Sequence, residues 1–199
     1  MEMSKAEYFA VFESLLYGLA LAHILVSISQ VIVNREKIKL YWLHIILVIA
    51  AILGMIQRYY SGYHGSEYEH VNTAWEFFFL IFLPMGLYFI LAYQMFPKKI
   101  EEADFKDFFW KSHKGIILTF IAVAVVLVGR NIAIDMYSIE EGRLDRDSYF
   151  SSAEFLVFSL GILELAVLGG LAVALKKRSL VKLVSVITFL YSLYIMSTT

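Results

Sequence analysis

Apolar residues fall along the chain in six long blocks separated by short polar connections: Tyr8–Val33, Leu40–Tyr60, Thr73–Phe96, Gly115–Asp135, Ser151–Leu175 and Leu180–Ser197. Each block holds 18 to 26 residues, which at about 1.5 Å per residue makes roughly 27–39 Å of helix. That length is enough to cross a hydrocarbon core of about 30 Å. None of the blocks alternates with period two, as a membrane β-barrel strand does. Backbone in lipid must satisfy its own hydrogen bonds, so blocks this long predict helices. The expected fold is an all-α integral membrane protein, a single polytopic domain over residues 1–199 with about six transmembrane helices in a compact bundle. The first block is too long for the apolar region of a signal peptide and has Glu13 near its start, so it is expected to stay as a helix.

Positive charge gives the blocks a direction. Twelve of the 17 Lys and Arg residues lie in the connections after the first, third and fifth blocks, among them Arg35, Lys37, Lys39, Lys98, Lys99 and Lys176–Arg178. Lys5, Arg58, Arg143 and Arg146 fall on the opposite side, and Arg130 lies within a block. By the positive-inside rule both termini are expected outside the cytoplasm. Tyr41, Trp42, Tyr59, Tyr60, Tyr63, Trp75 and Trp110 gather at block ends, as interfacial anchors do. The cytoplasmic connection Pro97–Lys114 pairs Glu102 with Lys106 and Asp107 with Lys111, and puts Phe105, Phe108 and Phe109 on one face. It reads as a short helix lying on the inner membrane surface.

Composition sharpens the picture mainly by exclusion. The chain is 60% apolar and only 18% charged, with a mean hydropathy of +0.69; a soluble domain has about 45–50% apolar and about 25% charged residues. Without any Cys there is no disulfide, thiolate metal site or catalytic thiol. A net charge of −1 without a basic patch argues against nucleic acid as a partner. No Gly-x-Ser-x-Gly elbow is present, and His23, His44 and His113 lie at different expected depths, so neither a serine hydrolase nor a bis-histidine haem is indicated. His64, Glu67, Glu69 and His70, in the outer stretch Arg58–Asn72, are metal-ligand types whose spacing matches no established site. No cofactor and no catalytic motif is expected.

Chemistry is therefore sought among the ionisable residues inside the blocks. Each costs about 2.5–3.5 kcal/mol on insertion scales, so such residues face the bundle interior and find partners. The predicted topology puts Glu13, Arg58, Glu76, Arg130 and Glu154 in the outer third of the membrane, around a polar vestibule, with His23 and Glu164 near its centre. These seven residues are the candidate ligand or ion pathway. Arg130 cannot discard its charge and is expected to meet a carboxylate, with Glu13, Glu76, Glu154 and Asp135 as candidates. Pro84, in the middle of the third block, lacks an N–H and should free the carbonyl of Leu80 and kink the helix.

Glu13 to His23 aligns with Glu154 to Glu164, and Glu76 opens the third block, which suggests three parallel hairpins. Leu168-Gly169-Gly170-Leu171 allows close helix approach, within the chain or between copies of it in a homo-oligomer. The segments Gly-Leu-Ala-Leu-Ala-His-Ile-Leu and Leu-Tyr-Trp-Leu-His resemble bacterial membrane proteins, a likeness confined to the first two helices that carries no function. The expected setting is a bacterial inner membrane, with the lipid bilayer and a small solute or ion as partners. The function expected first is a channel or transporter for that solute. The alternative is a non-enzymatic membrane sensor or accessory protein, for example in bacterial defence.

Overall fold

The computed structural model describes residues 4–64, 71–142, 145, 167–175 and 177–198. These residues are helical almost throughout, and no β-strand occurs among them. Helix α1 is Lys5–Val33, α2 is Trp42–His64, α4 is Phe105–Glu140 and α5 is Arg178–Thr198. Between α2 and α4, α3 runs over Ala74–Gln94, with a π-helical stretch at Phe77–Phe82. Residues 167–175 form a further helical segment. Four helices are long and apolar enough to cross a membrane: Glu7–Val33, Trp42–Tyr60, Ala74–Gln94 and Phe105–Glu140. The fifth apolar block falls largely outside the described residues, and the sixth forms α5, which is not among the four.

Local sequence starts and stops these helices. Ser4 caps α1 and Thr73 caps α3, each in a reciprocal box with the Glu three residues on, Glu7 and Glu76. Asp104 caps α4 by accepting from the backbone N–H groups of Lys106 and Asp107. Those bonds, Asp107 first, hold the Asp104 carboxyl below the usual range, assisted by Lys39.

The connection at 97–114 differs from expectation. Residues 105–114 are not a separate surface helix but the first turns of α4, which runs without a break to Glu140. The reason is packing: Phe105 and Phe109 are fully buried and close around His44 of α2, together with Phe96. Phe108 touches the same ring at 5.6 Å. At the other end of α2 the helix continues to His64, past the expected boundary at Tyr60.

The helices form an up-and-down bundle in which α3 packs between α1 and α4, and α2 between α1 and α5. Aromatic pairs fix α1 parallel to α3: Phe9 and Phe12 meet Phe77, Tyr17 meets Tyr88, and His23 stacks on Tyr93. Side-chain bonds fix α4 antiparallel to α3, Tyr137 to Glu76 at one end and Thr119 to Gln94 at the other. The connections after α1 and α3 therefore lie together at one end, which is the basic end. There the Lys39 N–H donates to the Ala103 carbonyl (3.2 Å) and the Phe105 N–H to the Lys39 carbonyl (2.9 Å). Arg178, which opens α5, lies over the Trp110 ring at 5.1 Å.

Two glycines allow close approach. A Cβ on Gly169 would fall 2.6 Å from the Ile121 side chain, so this part of the glycine pair packs within the chain, against α4. A Cβ on Gly54 would fall 2.8 Å from the hydroxyl of buried Tyr88. Gly54→Ala should therefore destabilise the protein by about 1–3 kcal/mol through overpacking. In a Tyr88→Phe background the 2.8 Å contact is lost and a ring carbon at 3.3 Å remains, so the substitution should cost less there, offset by up to about 1 kcal/mol of helix propensity. Thermal unfolding of the two single variants and the double variant in detergent measures this coupling.

Candidate functional site

Glu13 lies two turns into α1 and Arg58 two turns from the end of antiparallel α2, so the two meet at the same level. A Glu13 carboxylate oxygen is 3.0 Å from Arg58 Nη2, and both side chains are only 4% exposed. Burial removes the hydration of both ions. Such a pair is tolerated only where each ion compensates the other, and removing one partner is far costlier than removing both.

One turn further along α1, Tyr17 lies below Glu13. Its ring packs edge-on against Tyr88, 5.6 Å between centroids, and its buried hydroxyl makes no hydrogen bond. The charges of Arg58, Glu13 and Arg130 all bear on that hydroxyl.

Arg130 of α4 is buried as well. Its Nε donates to the backbone carbonyl of Leu80 at 2.6 Å, and its Nη1 to the side-chain oxygen of Asn131 at 3.3 Å. Leu80 is the residue whose carbonyl Pro84 was expected to free. Pro84 has no amide hydrogen to offer it, and the turn before Pro84 widens into the π-helical stretch, where the Leu83 N–H reaches back to the Phe78 carbonyl. The guanidinium fills the place of the missing N–H. Of the carboxylates expected to meet Arg130, Glu13 and Glu76 are engaged elsewhere, and Glu154 lies outside the described residues. The Glu13 carboxylate is at Arg58, and that of Glu76 accepts the backbone N–H groups of Asn72 and Thr73 and the Tyr137 hydroxyl.

Of the seven candidate pathway residues, Glu13, Arg58 and Arg130 thus come together around Tyr17 and Tyr88. Glu76 is a helix-capping residue at the bundle end. His23 is half-buried and stacks on Tyr93, next to the last residue of α3 at the basic end, with 3.9 Å between ring centroids. Glu154 and Glu164 lie outside the described residues, and so does the fifth-block half of the repeat. Glu13 and Glu76 differ in surroundings, Glu13 being buried against Arg58 and Glu76 held by backbone N–H groups in its capping box. Of the loop residues considered for metal, Glu67, Glu69 and His70 lie outside the described residues; no cluster of three metal-ligand side chains occurs among the described ones.

Beside the charged layer a cleft of about 240 Å³ opens between α1 and α2, lined by Ser14, Tyr17, Gly18, Leu21, Met55, Ile56 and Tyr59. With about 30 Å³ per water it is large enough for several waters or one small solute. Tyr17, Tyr88 and Gly54 escaped the sequence reading because an aromatic or a glycine in an apolar block looks like ordinary core. The usable signal was spacing: Tyr17 is four residues from Glu13 and Gly54 four from Arg58, so each lies on the charged face.

No protein-family profile, curated protein or solved structure matches the chain.

Glu13→Gln deprives the buried Arg58 of its carboxylate and should lower stability by about 3–5 kcal/mol. The double variant Glu13→Leu/Arg58→Leu should lose clearly less than the sum of the two single Leu variants. Chemical denaturation of all four proteins in one detergent tests this, and additive losses would show that the two ions are not coupled.

Proposed function

We propose that the chain is a six-span protein of the cell membrane, with both termini outside and the basic end in the cytoplasm. In this reading it is a channel or transporter for a small solute or ion. What supports the reading is the burial of three charged residues, Glu13 and Arg58 paired at 3.0 Å and Arg130 bearing on the same Tyr17, beside a cleft in a chiefly apolar bundle. Ionisable groups inside membrane helices are costly and mark solute or ion pathways by default. Under the positive-inside rule this layer belongs to the outer half of the membrane. The Glu13–Arg58 pair then closes the vestibule from within, and a charged solute entering the cleft competes with one partner for the other. Arg130, held by a backbone carbonyl, supplies a fixed positive charge beside that exchange.

The tight closure of the pair favours one other reading, a membrane sensor or accessory protein in which the cleft holds a ligand without passing it. Flux separates the two. In proteoliposomes loaded with alkali-metal chloride, the wild-type protein should conduct ions or accumulate solute. Arg130→Gln, which keeps a donor for the Leu80 carbonyl but removes the charge, should cut the rate at least about tenfold, the effect of removing about 1.4 kcal/mol of stabilisation. Unaltered flux in a folded Arg130→Gln protein would remove Arg130 from the pathway. Absence of flux in the wild type, with a small molecule retained on purification, would favour the sensor.

A further inference from the structure

A second groove lies between α1 and α2 at the opposite, basic end. We propose that it is a binding site for one anionic phospholipid of the leaflet on that side. The groove has a volume of about 200 Å³ and is lined by aliphatic and aromatic side chains, among them Ile28 and Val31 of α1 and Ile45, Val48 and Ile49 of α2. His44, Phe96 and Phe105 border it, and the His44 ring is itself buried in their aromatic cluster. From His44 to Ile52 the groove follows α2 for eight residues, about 12 Å, which suits part of an acyl chain. Ile45 and Ile49, each about 40% exposed, leave it open along the flank of the bundle, where a molecule in the lipid phase enters.

Charge at the mouth selects the headgroup. Val31 and Leu40 bracket the α1–α2 connection and both line the groove, so the connection crosses its mouth. That connection carries exposed Arg35, Lys37 and Lys39 against one acid, Glu36. Its position is fixed by the two backbone bonds between Lys39 and residues 103 and 105, with Asp104 at 3.9 Å from the Lys39 ammonium. Arg35 and Lys37 are thus held at the level of the interface, as the neighbouring Tyr41 and Trp42 are, and attract a phosphate there. An apolar slot with cations at its interfacial end matches one acyl chain with its phosphodiester. A protein partner would need a broader face, and a neutral lipid would leave the cations unused. The proposal is independent of the transport reading, since it involves neither the charged layer nor the outer cleft.

Thermal unfolding of the full chain in mild detergent tests it, with added phosphatidylglycerol compared against phosphatidylcholine of the same acyl chains. At about 100-fold excess over Kd, phosphatidylglycerol should raise Tm by about 5–10 °C, and phosphatidylcholine by much less. The selective rise should disappear in Ile45→Trp, which fills the groove, and in Arg35→Gln/Lys37→Gln, which keeps it open but removes the cations. Ile49→Trp, one turn along, replaces Ile45→Trp if that variant does not fold. Equal shifts with the two lipids, no shift with either, or a selective shift that survives in the filled and the neutralised variants would each overturn the proposal.

Discussion

The Glu13–Arg58 pair is the constraint on which the rest of the upper bundle depends. An isolated ion among apolar helices carries an effective penalty of several kcal/mol, and at 3.0 Å each of the two residues offsets that penalty for the other. That pairing fixes the register of α1 against α2. A slip of one residue turns either side chain by about 100° around its helix, out of reach of the other. With the register fixed, Gly54 of α2 lies one turn from Arg58, and its bare backbone makes room for Tyr88 of α3. Tyr88 in turn meets Tyr17 of α1. One ion pair thus positions three helices, because residues four apart share a face and each contact falls one turn from the last.

A second constraint of the same kind acts on the backbone. A proline in mid-helix leaves a carbonyl four residues earlier without its amide, and an apolar surrounding offers no water to replace it. Here α3 widens before Pro84, and Arg130 of α4 reaches the Leu80 carbonyl. The guanidinium is suited to the place, being permanently charged, planar and rich in donors. The bond ties α3 to α4 at the level where Glu13 and Arg58 tie α1 to α2. The proline and the arginine therefore complete one polar arrangement from two helices.

How much of this was legible in the sequence follows from the range of each interaction. Helix existence and type were, because block length and the need for internal backbone bonding are local properties. The collection of Lys and Arg at one end was, since an up-and-down bundle puts alternate connections together. Pro84 and the Leu80 carbonyl were, because the four-residue offset is intrinsic to the helix; the donor that satisfies it, 50 residues away, was not. The Leu80 carbonyl as a partner of Arg130 was not legible, because charge alone points to a carboxylate and not to a backbone dipole. The local role of Glu76 was legible as well. Thr73-x-x-Glu76 is a capping box readable in the sequence, and a carboxylate held by two backbone N–H groups is committed to the helix end. The run from Phe105 to Lys114 looked amphipathic because three Phe residues share a face. That face is equally what α4 needs to bury against His44 and Phe96, and only tertiary contact decides between lipid surface and core.

The two ends of the bundle are built on different physics, and this bears on where it can rearrange. At the basic end the connections are joined backbone to backbone through Lys39, and Phe96 and three rings of α4 close on His44. Moving these parts means breaking ladder-like hydrogen bonds and opening dense aromatic packing together. At the other end, the described ties between helices around Glu13, Arg58 and Arg130 are made by side chains, which exchange one partner for another without unfolding a helix. A cleft lies next to them, so space for such an exchange already exists. Charged solute or water can substitute for one member of a pair, whereas nothing in the lipid phase substitutes for a backbone amide. The polar half is thus held by side-chain ties beside a cleft, and the basic half by backbone bonds and aromatic packing.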